Sequence, residues 1–385
     1  MNSDSNYTSE LFRIISGALR LDTLKVRNYA SFLADKFEAN GDDGSANRLR
    51  KLLSETDNEL HPVSISSKAP PVDSETRFPL VEIVNLNEVS EIPLIIPAEQ
   101  RDVLNEFISI AKSHAQFETE GVNSPNALLL YGPPGCGKSR LAREIARELG
   151  LKLYIARLDG VISSYLGSTS KNIRAIFEFA ASTPCVLFLD EFDAIAKLRD
   201  DAQELGELKR VVNSFIQNLD SVGAQSVIIA ATNHHQLLDP AVWRRFSYRL
   251  ELSYPDNQQR IKMWDTFLKP HGFSSHELAI LGDLSEGFSG GDIREVCFRI
   301  KRQNIVSKKH PTVRDAFIGL KRLALGDQEA MKFLSALKHD NDHTIARRLK
   351  ERNPKLYSHA NLALILDVSK ATAHRWSKKE SVMNG

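Results

Sequence analysis

The chain has 385 residues, a length that indicates two or three domains. Its hydrophobic share of 42% and its formal net charge of +1 are ordinary for a globular protein, so overall charge argues neither for nor against a nucleic-acid partner. No stretch approaches the roughly 18 apolar residues that span a bilayer, and the first residues lack the basic and apolar regions of a signal peptide. The three cysteines show no metal-ligand spacing, so we expect a cytoplasmic protein with reduced thiols and no membrane contact.

Residues 1–60 are predicted to form a small, all-α N-terminal domain. Two apolar helical stripes lie on either side of a Gly/Asp turn at 41–44; they consist of Val26, Ala30, Leu33 and Phe37, then Ala46, Leu49 and Leu53. Residues 61–79 contain four prolines among Ser, Lys and Asp residues, which is typical of a semi-extended linker.

Residues 80–254 alternate apolar strand patterns with helical patterns, which predicts a parallel sheet between layers of helices. The predicted strands cover residues 127–131, 151–156, 185–190, 227–233 and 248–252. After this region the strand patterns stop. Residues 255–328 are predicted to form a helical subdomain, and residues 329–385 a further all-α domain.

The segment at 132–139, Gly-Pro-Pro-Gly-Cys-Gly-Lys-Ser, lies between the first predicted strand and a helical pattern. In that context a glycine-rich loop lets backbone N–H groups surround phosphate oxygens at a helix N-terminus. Lys138 is expected to reach the β- and γ-phosphates of a nucleotide, and Ser139 to ligate Mg²⁺. The alternative is a Gly/Pro-rich turn that binds nothing. The predicted nucleotide-binding residues of this segment are Gly132, Pro133, Pro134, Gly135, Cys136, Gly137, Lys138, Ser139 and Arg140.

A second motif follows the apolar strand at 185–189. Asp190 and Glu191 stand at the carboxyl end of that strand, where doubly wound sheets bind their ligands. We expect Asp190 to hold Mg²⁺ and Glu191 to polarise a water for attack on the γ-phosphate. An acidic cluster after a strand is otherwise the solvated start of a helix, but the glycine-rich loop upstream favours the catalytic interpretation.

These motifs and their surroundings resemble the AAA clade of the AAA+ ATPases over residues 80–325. The resemblance is carried by six segments: Walker A at 132–139, with cysteine where threonine is usual, pore loop 1 at 162–170, Walker B at 187–191, sensor 1 at 229–233, the arginine-finger region at 238–246 and the lid motif at 288–293. The arginine-finger region is similar to that of meiotic-clade and Vps4-like remodellers. The resemblance implies an α/β AAA+ P-loop NTPase with a five-stranded parallel sheet and a helical lid, which binds ATP and Mg²⁺ and forms a hexameric ring.

The resemblance also implies roles for residues outside the phosphate motifs. Asn233 would help to position the attacking water, and Gly290 and Gly291 would let the lid approach the adenine closely. Arg244 and Arg245 would reach the nucleotide of the neighbouring subunit, where an arginine is worth about 10³–10⁵ in rate. The alternative for the two arginines is a surface loop without a catalytic role.

The segment that resembles pore loop 1 indicates the class of substrate, because in the family this loop lines a channel and grips polypeptide. The matching residues are Tyr165, Leu166 and Gly167. An aromatic ring offers a large, stiff surface to side chains of any sequence, and a glycine lets the loop bend. Residues 164–167 carry no charge, whereas a loop that grips DNA is expected to be basic. The alternative is an ordinary, half-buried loop tyrosine.

Residues 358–377 predict two helices joined by a turn at 367–368, with Ser369 capping the second helix and with Ala373 and Trp376 facing inward. The pattern resembles the helix-turn-helix of bacterial transposases and small regulators, with aspartate at 367 where glycine is commoner. Residues 341–385 contain nine basic and four acidic side chains, a net charge of about +5 that suits DNA contact. A domain that docks a partner protein is the alternative. The candidate DNA contacts are Lys370, Thr372, His374, Arg375, Lys378 and Lys379.

These observations favour a hexameric ATPase that remodels or threads proteins, with the N-terminal helices as an adaptor. The order of domains resembles that of bacterial ATPases encoded beside a subtilisin-like serine protease in two-gene phage-defence modules, which implies antiviral defence and a protease partner. A different class of function is a DNA-bound ATPase switch that acts through the C-terminal helices. A third is a nucleotide-gated signalling scaffold that works with a separate effector.

Overall fold

The computed structural model describes residues 11, 23–55, 69–73, 76–86, 94–122, 126–158, 166–194, 205–223, 225–324 and 331–377. The chain divides into two compact units, Met1–Pro70 and Pro71–Gly385, and each is described by itself. Among the described residues, no helix combines the length and the apolar character that crossing a bilayer requires.

The first unit contains two packed helices, α1 (Thr23–Ala39) and α2 (Asp43–Glu55). Ala30, Leu33 and Ala46 from the two predicted apolar stripes are buried. The turn between the helices occupies residues 40–42 rather than the predicted 41–44. The reason is a cap: the side chain before α2 accepts a hydrogen bond from the backbone amide three residues further on, at 3.1 Å, so the helix starts earlier.

The second unit is built on a sheet of six strands, and all five predicted strands are present. The strands are β1 (Glu82–Val84), β2 (Ala127–Tyr131), β3 (Leu153–Arg157), β4 (Val186–Asp190), β5 (Val227–Thr232) and β6 (Tyr248–Glu251). Their order in the sheet is β1–β3–β4–β5–β2–β6. The five predicted strands run parallel, and β1 is added antiparallel to β3 at one edge. The predicted α/β fold is therefore confirmed, with one further strand.

The largest differences between the observed sheet and the prediction concern β1 and the start of β3; the other strand ends differ by at most one residue. Strand β1 was missed because it has only three residues, two of them exposed, so it lacks an alternating pattern. Strand β3 begins at Leu153 instead of residue 151. The backbone amide of Leu151 donates to the carbonyl of Ala146 at 3.1 Å, and it therefore closes the preceding helix rather than pairing in the sheet.

Helices cover both faces of the sheet: α3 (Ala98–Lys112), α4 (His114–Thr119), α5 (Lys138–Leu149), α6 (Leu166–Ser182), α7 (Leu205–Ser221) and the short α8 (Pro240–Trp243). Alternate residues of β2 lie on opposite faces of the sheet and pack in different hydrophobic clusters. Leu128 and Leu130 pack in a cluster with Phe107 of α3, whereas Leu129 packs in a cluster with Phe177 of α6. Burial on both faces explains why the strand residues form a continuous apolar run.

The helical lid follows the sheet as four helices: α9 (Asn257–Leu268), α10 (Ser275–Leu284), α11 (Gly290–Ser307) and α12 (Val313–Leu323). Each of the four begins with a capping box, in which the N-cap side chain and the side chain three residues later satisfy backbone amides reciprocally. The four N-cap residues are Asp256, Ser274, Ser289 and Thr312. Local sequence thus sets where each lid helix starts.

The C-terminal helices are α13 (Lys332–Ala336), α14 (Asp342–Arg352), α15 (His359–Leu366) and α16 (Lys370–Ser377). The two helices predicted over 358–377 are α15 and α16. Ser369 caps α16 by accepting a hydrogen bond from the amide of Thr372 at 3.1 Å, and Ala373 is fully buried. Asp367 ends α15 in the left-handed region, with φ of 53°, which explains why glycine is commoner there.

The lid and the C-terminal helices share one packed core. It runs from Met263 in α9 to Ala373 in α16 without a break. Polar contacts join the same parts: Arg352 Nε donates to Asp283 Oδ2 at 3.2 Å, and the hydroxyl of Tyr357 donates to the same carboxylate. The described parts of the lid and of the C-terminal helices, which were predicted as separate domains, therefore form one packed body.

The end of the predicted linker is also part of the second unit. Val72 pairs with Pro79 in an antiparallel bridge. The buried side chain of Asp73 accepts a hydrogen bond from Asn172 Nδ2 of α6 at 2.6 Å. Composition suggested an extended linker here, but these contacts anchor residues 71–79 to the α/β core.

Candidate active site

The predicted phosphate loop connects β2 to α5. Lys138, the first residue of α5, is only 8% exposed, and its Nζ donates to the carbonyls of Gly132 at 2.7 Å and Pro133 at 2.9 Å. It also donates to Asn233 Oδ1 at 2.7 Å. Burial lowers the pKa of the Lys138 ammonium, and the carboxylate of Asp190 opposes that shift. The ammonium is thus held at the loop, where phosphate oxygens would replace the carbonyls as its acceptors.

Two glycines in this loop are required by close approaches of other backbone and side-chain atoms. Gly132 has φ of 135°, and a Cβ there would lie 2.2 Å from the carbonyl oxygen of Leu252. Gly135 has φ of 77°, and a Cβ there would lie 2.3 Å from Ser289 Oγ. The Gly135 carbonyl also accepts a hydrogen bond from the amide of Gly291 at 3.0 Å. The loop and the lid are therefore in direct contact.

The two predicted acidic residues lie at the carboxyl end of β4. Asp190 Oδ2 accepts a hydrogen bond from Ser139 Oγ at 3.4 Å, and its Oδ1 accepts one from the amide of Glu191 at 3.0 Å. Glu191 adopts the left-handed region with φ of 54°, which costs a non-glycine residue about 1 kcal/mol. The next amide, of Phe192, holds this turn by donating to the carbonyl of Ala231 at 2.8 Å. Strain at an acidic residue beside a ligand cavity supports a functional role for it.

These residues surround a cavity of about 320 Å³ between the α/β core and the lid, large enough for a small-molecule ligand. The predicted residues that line it are Pro134, Gly135, Cys136, Gly137, Lys138, Ser139, Arg140, Asp190, Glu191, Asn233, Gly290 and Gly291. Lining residues that were not predicted are Leu94, Ile95, Ala231, Met263, Phe267 and Arg294. Nearly all of the predicted phosphate, metal and sensor residues thus meet at one place.

The cavity fits a nucleoside triphosphate, with a polar loop for phosphates and apolar side chains for a base. Arg140 Nη2 is buried and makes no hydrogen bond with any residue that the structure describes, so it has a donor available for a ligand. Burial lowers the pKa of Arg140, and the guanidinium of Arg294 lowers it further. Cys136 stays a neutral thiol beside the loop, because burial raises its pKa to about 11.

The two predicted arginine fingers follow α8 and do not line this cavity. Both side chains are exposed. Arg245 Nη1 lies 3.1 Å from Asp220 Oδ2 on α7. The guanidinium of Arg244, by contrast, makes no hydrogen bond or ion pair within the part of the chain that the structure describes. The structure therefore distinguishes two arginines that the sequence could not tell apart.

Residues 128–254 match the family described as the ATPase family associated with various cellular activities (AAA). The chain carries an AAA ATPase domain. It is 39% identical over 223 residues to a Sinorhizobium fredii protein named "Uncharacterized AAA family ATPase y4kL", covering 56% of this chain and 65% of that protein. It is 30% identical over 223 residues to the proteasome-activating nucleotidase of Methanococcus vannielii, covering 56% of this chain and 51% of that protein.

A solved structure confirms the fold of the AAA domain. The crystal structure of the FIGL-1 AAA domain in complex with ADP is similar with a TM-score of 0.53 and 23% identity, over 69% of this chain and 94% of that one. The chain spans less than two thirds of the length of the curated relatives that it matches. The family and its named ATPases support ATP hydrolysis as the reaction of this domain.

The predicted pore loop of the AAA domain lies between β3 and α6. Tyr165 is outside the described residues, and Leu166 and Gly167 are the first residues of α6. The resemblance predicted all three residues ahead of a helix, but the helix already begins at Leu166, so Leu166 and Gly167 belong to its first turn. The gripping role of the loop stays a prediction.

The candidate DNA contacts lie on α16. Thr372 is half-buried, and its Oγ1 is 2.9 Å from Ser369 Oγ, so it belongs to the helix cap and its side chain is less free than predicted. Three candidates are exposed: Lys370, His374 and Arg375. Two further candidates lie outside the described residues, Lys378 and Lys379.

Sequence reasoning missed the apolar wall of the cavity and one arginine. Leu94 and Met263 come from segments far from the phosphate loop in sequence, and nothing in their local pattern marks them as ligand contacts. The contact of Arg294 with the cavity, by contrast, could have been predicted from the sequence. Arg294 lies one helical turn after Gly290, so the lid motif that brings the glycine to the cavity also brings this arginine.

Proposed function

We propose that this protein hydrolyses ATP with the help of Mg²⁺, and that it uses the energy to remodel or thread polypeptides as a ring of identical subunits, a hexamer. The observation that carries the proposal is the position of Arg244. The cavity contains phosphate, metal and water-activating groups from one chain, whereas this arginine is exposed, outside the cavity and without a polar partner among the described residues. A second subunit placed against this surface would receive the arginine at its own nucleotide.

Within one subunit the geometry of the cavity supports the following roles. Lys138 binds the β- and γ-phosphates, and Asn233, which already accepts its hydrogen bond, positions the water. Ser139 and Asp190 lie close enough to share Mg²⁺, which neutralises phosphate charge when it is bound. Glu191 accepts the proton of the attacking water.

A polypeptide substrate is supported by the uncharged segment 164–167, which runs into the start of α6, and by the name of one relative, which refers to activation of the proteasome. It is tested by the substitution Tyr165→Ala. We expect basal ATP hydrolysis to persist within a few-fold, because the tyrosine touches neither nucleotide nor metal in this proposal. Stimulation of hydrolysis by an unfolded protein such as casein should disappear, since each engaged loop loses an aromatic contact worth about 1–3 kcal/mol.

The control for this experiment is Tyr165→Phe, which keeps the ring and should keep the stimulation. Thermal unfolding of both variants shows whether the ring has a structural role instead. If the Tyr165→Ala protein folds and casein stimulates its ATP hydrolysis as strongly as that of the unsubstituted protein, the threading hypothesis is wrong.

A DNA-bound ATPase switch is the second candidate, favoured by the exposed basic residues of α16. Replacing Lys370 and Arg375 together with alanine should weaken binding to duplex DNA and flatten its salt dependence, by about one unit of slope for each phosphate that is no longer neutralised. Fluorescence anisotropy with a labelled duplex at several salt concentrations measures both. The matched control replaces Lys308 and Lys309, which are exposed and lie after α11. If neither pair of substitutions changes the DNA-binding isotherm, the DNA hypothesis is wrong.

The protease partner of a bacterial defence module belongs to the same proposal, as does the adaptor role of α1 and α2. Both follow from resemblance in domain order. Co-purification from the native host, followed by mass spectrometry, identifies such a partner or its absence.

A further inference from the structure

Three aromatic rings from separate segments meet beside the nucleotide cavity. The ring of Tyr131 lies 4.8 Å from that of His235 and 5.4 Å from that of Trp243, measured between centroids. The rings of His235 and Trp243 are 6.0 Å apart. All three distances are in the range of attractive aromatic contacts. We call these three residues the ring cluster.

Each of the three ring residues lies within two positions in sequence of a residue that takes part in the proposed reaction. Tyr131 directly precedes Gly132, whose carbonyl accepts a hydrogen bond from the lysine of the phosphate loop. His235 follows Asn233 by two residues, three residues after the end of β5. Trp243 directly precedes Arg244. The ring cluster therefore joins residues that are close in sequence to the phosphate loop, the sensor segment and the arginine finger.

Tertiary contacts, rather than helix stability, set the orientation of the arginine. Helix α8 has only four residues, too few to be stable by itself. Val242 is buried in the core, and the guanidinium of Arg249 on β6 lies 5.3 Å from the centroid of the Trp243 ring. On the other side, Arg245 is paired with Asp220.

We propose that Trp243, held by Tyr131 and His235, is a positioning residue that sets the place of Arg244 according to the nucleotide bound in its own subunit. The inference rests on the proposed ring with an arginine acting in trans. A displacement of the phosphate loop or of the sensor segment moves a ring that is in contact with Trp243. Because α8 is short, the tryptophan and the adjacent arginine move together.

The test compares Trp243→Leu with Trp243→Phe. Leucine removes the aromatic contacts, and we expect kcat for ATP to fall about 10- to 100-fold, since a misplaced catalytic group costs that much. The KM and the affinity for a fluorescent ATP analogue should stay within a few-fold, because the nucleotide cavity of the same subunit is unchanged. Phenylalanine should restore most of kcat. As a nearby control, Leu237→Ala removes an exposed side chain that is not part of the ring cluster, and it should leave kcat unchanged.

Mixing experiments separate positioning from damage to the subunit's own site. Subunits with Trp243→Leu keep their own phosphate loop, whereas subunits with Glu191→Gln keep their arginine. Mixed rings should therefore hydrolyse ATP faster than the sum of the separate proteins, just as mixtures of Arg244→Ala with Glu191→Gln should. If only the Arg244→Ala mixture recovers, the ring cluster has a structural role and this inference is wrong. If neither mixture recovers, the proposed ring with an arginine in trans is wrong.

A second variant covers the case in which Trp243→Leu does not fold. His235 is exposed, so His235→Ala is expected to fold normally. Its kcat should fall about two- to tenfold, because that is the change in rate that corresponds to the free energy of one aromatic contact. The same substitution should have no further effect in the Trp243→Leu background, because both act through one contact. Additive effects of the two substitutions contradict the ring cluster.

Discussion

The substitution Arg244→Ala should lower the ATP turnover of the assembled protein by about 10³-fold or more, the effect expected when an arginine finger is removed. The physical reason is charge: the arginine stabilises negative charge that develops on the transferred phosphoryl group. ATP affinity should remain within a few-fold, because Arg244 does not line the cavity of its own chain. A steady-state ATPase assay together with equilibrium binding of a fluorescent ATP analogue measures both quantities.

The matched comparison is Arg245→Ala. Arg245 lies 3.1 Å from Asp220, and both side chains are about half exposed. Exposed pairs contribute at most about 1 kcal/mol, so we expect this variant to lose much less activity than Arg244→Ala. Because the arginine acts in another subunit, turnover per subunit of the parent protein should also fall on dilution. Equal losses from the two substitutions, or a rate that is independent of dilution, contradict the assignment.

The substitution Glu191→Gln should reduce ATP turnover by about 10²–10⁴-fold, the usual contribution of a general base, while nucleotide binding persists. Glutamine has the same shape as glutamate and adopts the same turn, but it does not accept the proton of the attacking water. The variant should therefore accumulate in an ATP-bound, assembled state. Size-exclusion chromatography with and without ATP, combined with a binding assay, shows this state directly.

Lys138→Ala is the control for Glu191→Gln. It removes the ammonium that contacts both the loop carbonyls and Asn233, so it should lose nucleotide affinity as well as turnover. Thermal unfolding without nucleotide should be similar for the two variants, and only Glu191→Gln should be stabilised by added ATP. Loss of ATP binding by Glu191→Gln would mean that this residue supports the turn after β4 and does not act on water.

Much of the site follows from local sequence, because its chemistry depends on short segments. The loop at 132–139 and the pair Asp190 and Glu191 each stand next to a strand with a clear apolar pattern, and both were placed by that pattern. Parallel strands bring their carboxyl ends to one edge, so the predicted residues had to meet there. Gly290 and Gly291 were predicted from the resemblance of residues 288–293 to the lid motif. Ser289 caps the helix that begins with these two glycines.

Other features depend on residues far apart in sequence, and no local pattern marks them. The ion pair between Arg245 and Asp220 joins the segment after α8 to α7, and β5 lies between these two elements in the chain. The ring cluster around Trp243 joins the end of β2, the segment after β5 and the end of α8. The left-handed backbone of Glu191 is held by a hydrogen bond from the next residue to β5.

The sequence by itself determined the α/β core, the nucleotide loop, the acidic pair and the two C-terminal helices, because periodicity and helix caps act over a few residues. Only the tertiary structure decided which arginine is paired, that Trp243 contacts Tyr131 just before the phosphate loop, and that the C-terminal helices share the core of the lid. These contacts form only when the helices and strands pack together, because the sequence does not show which apolar face will pack against which other face. That choice depends on the packing of the whole fold, which no single segment contains.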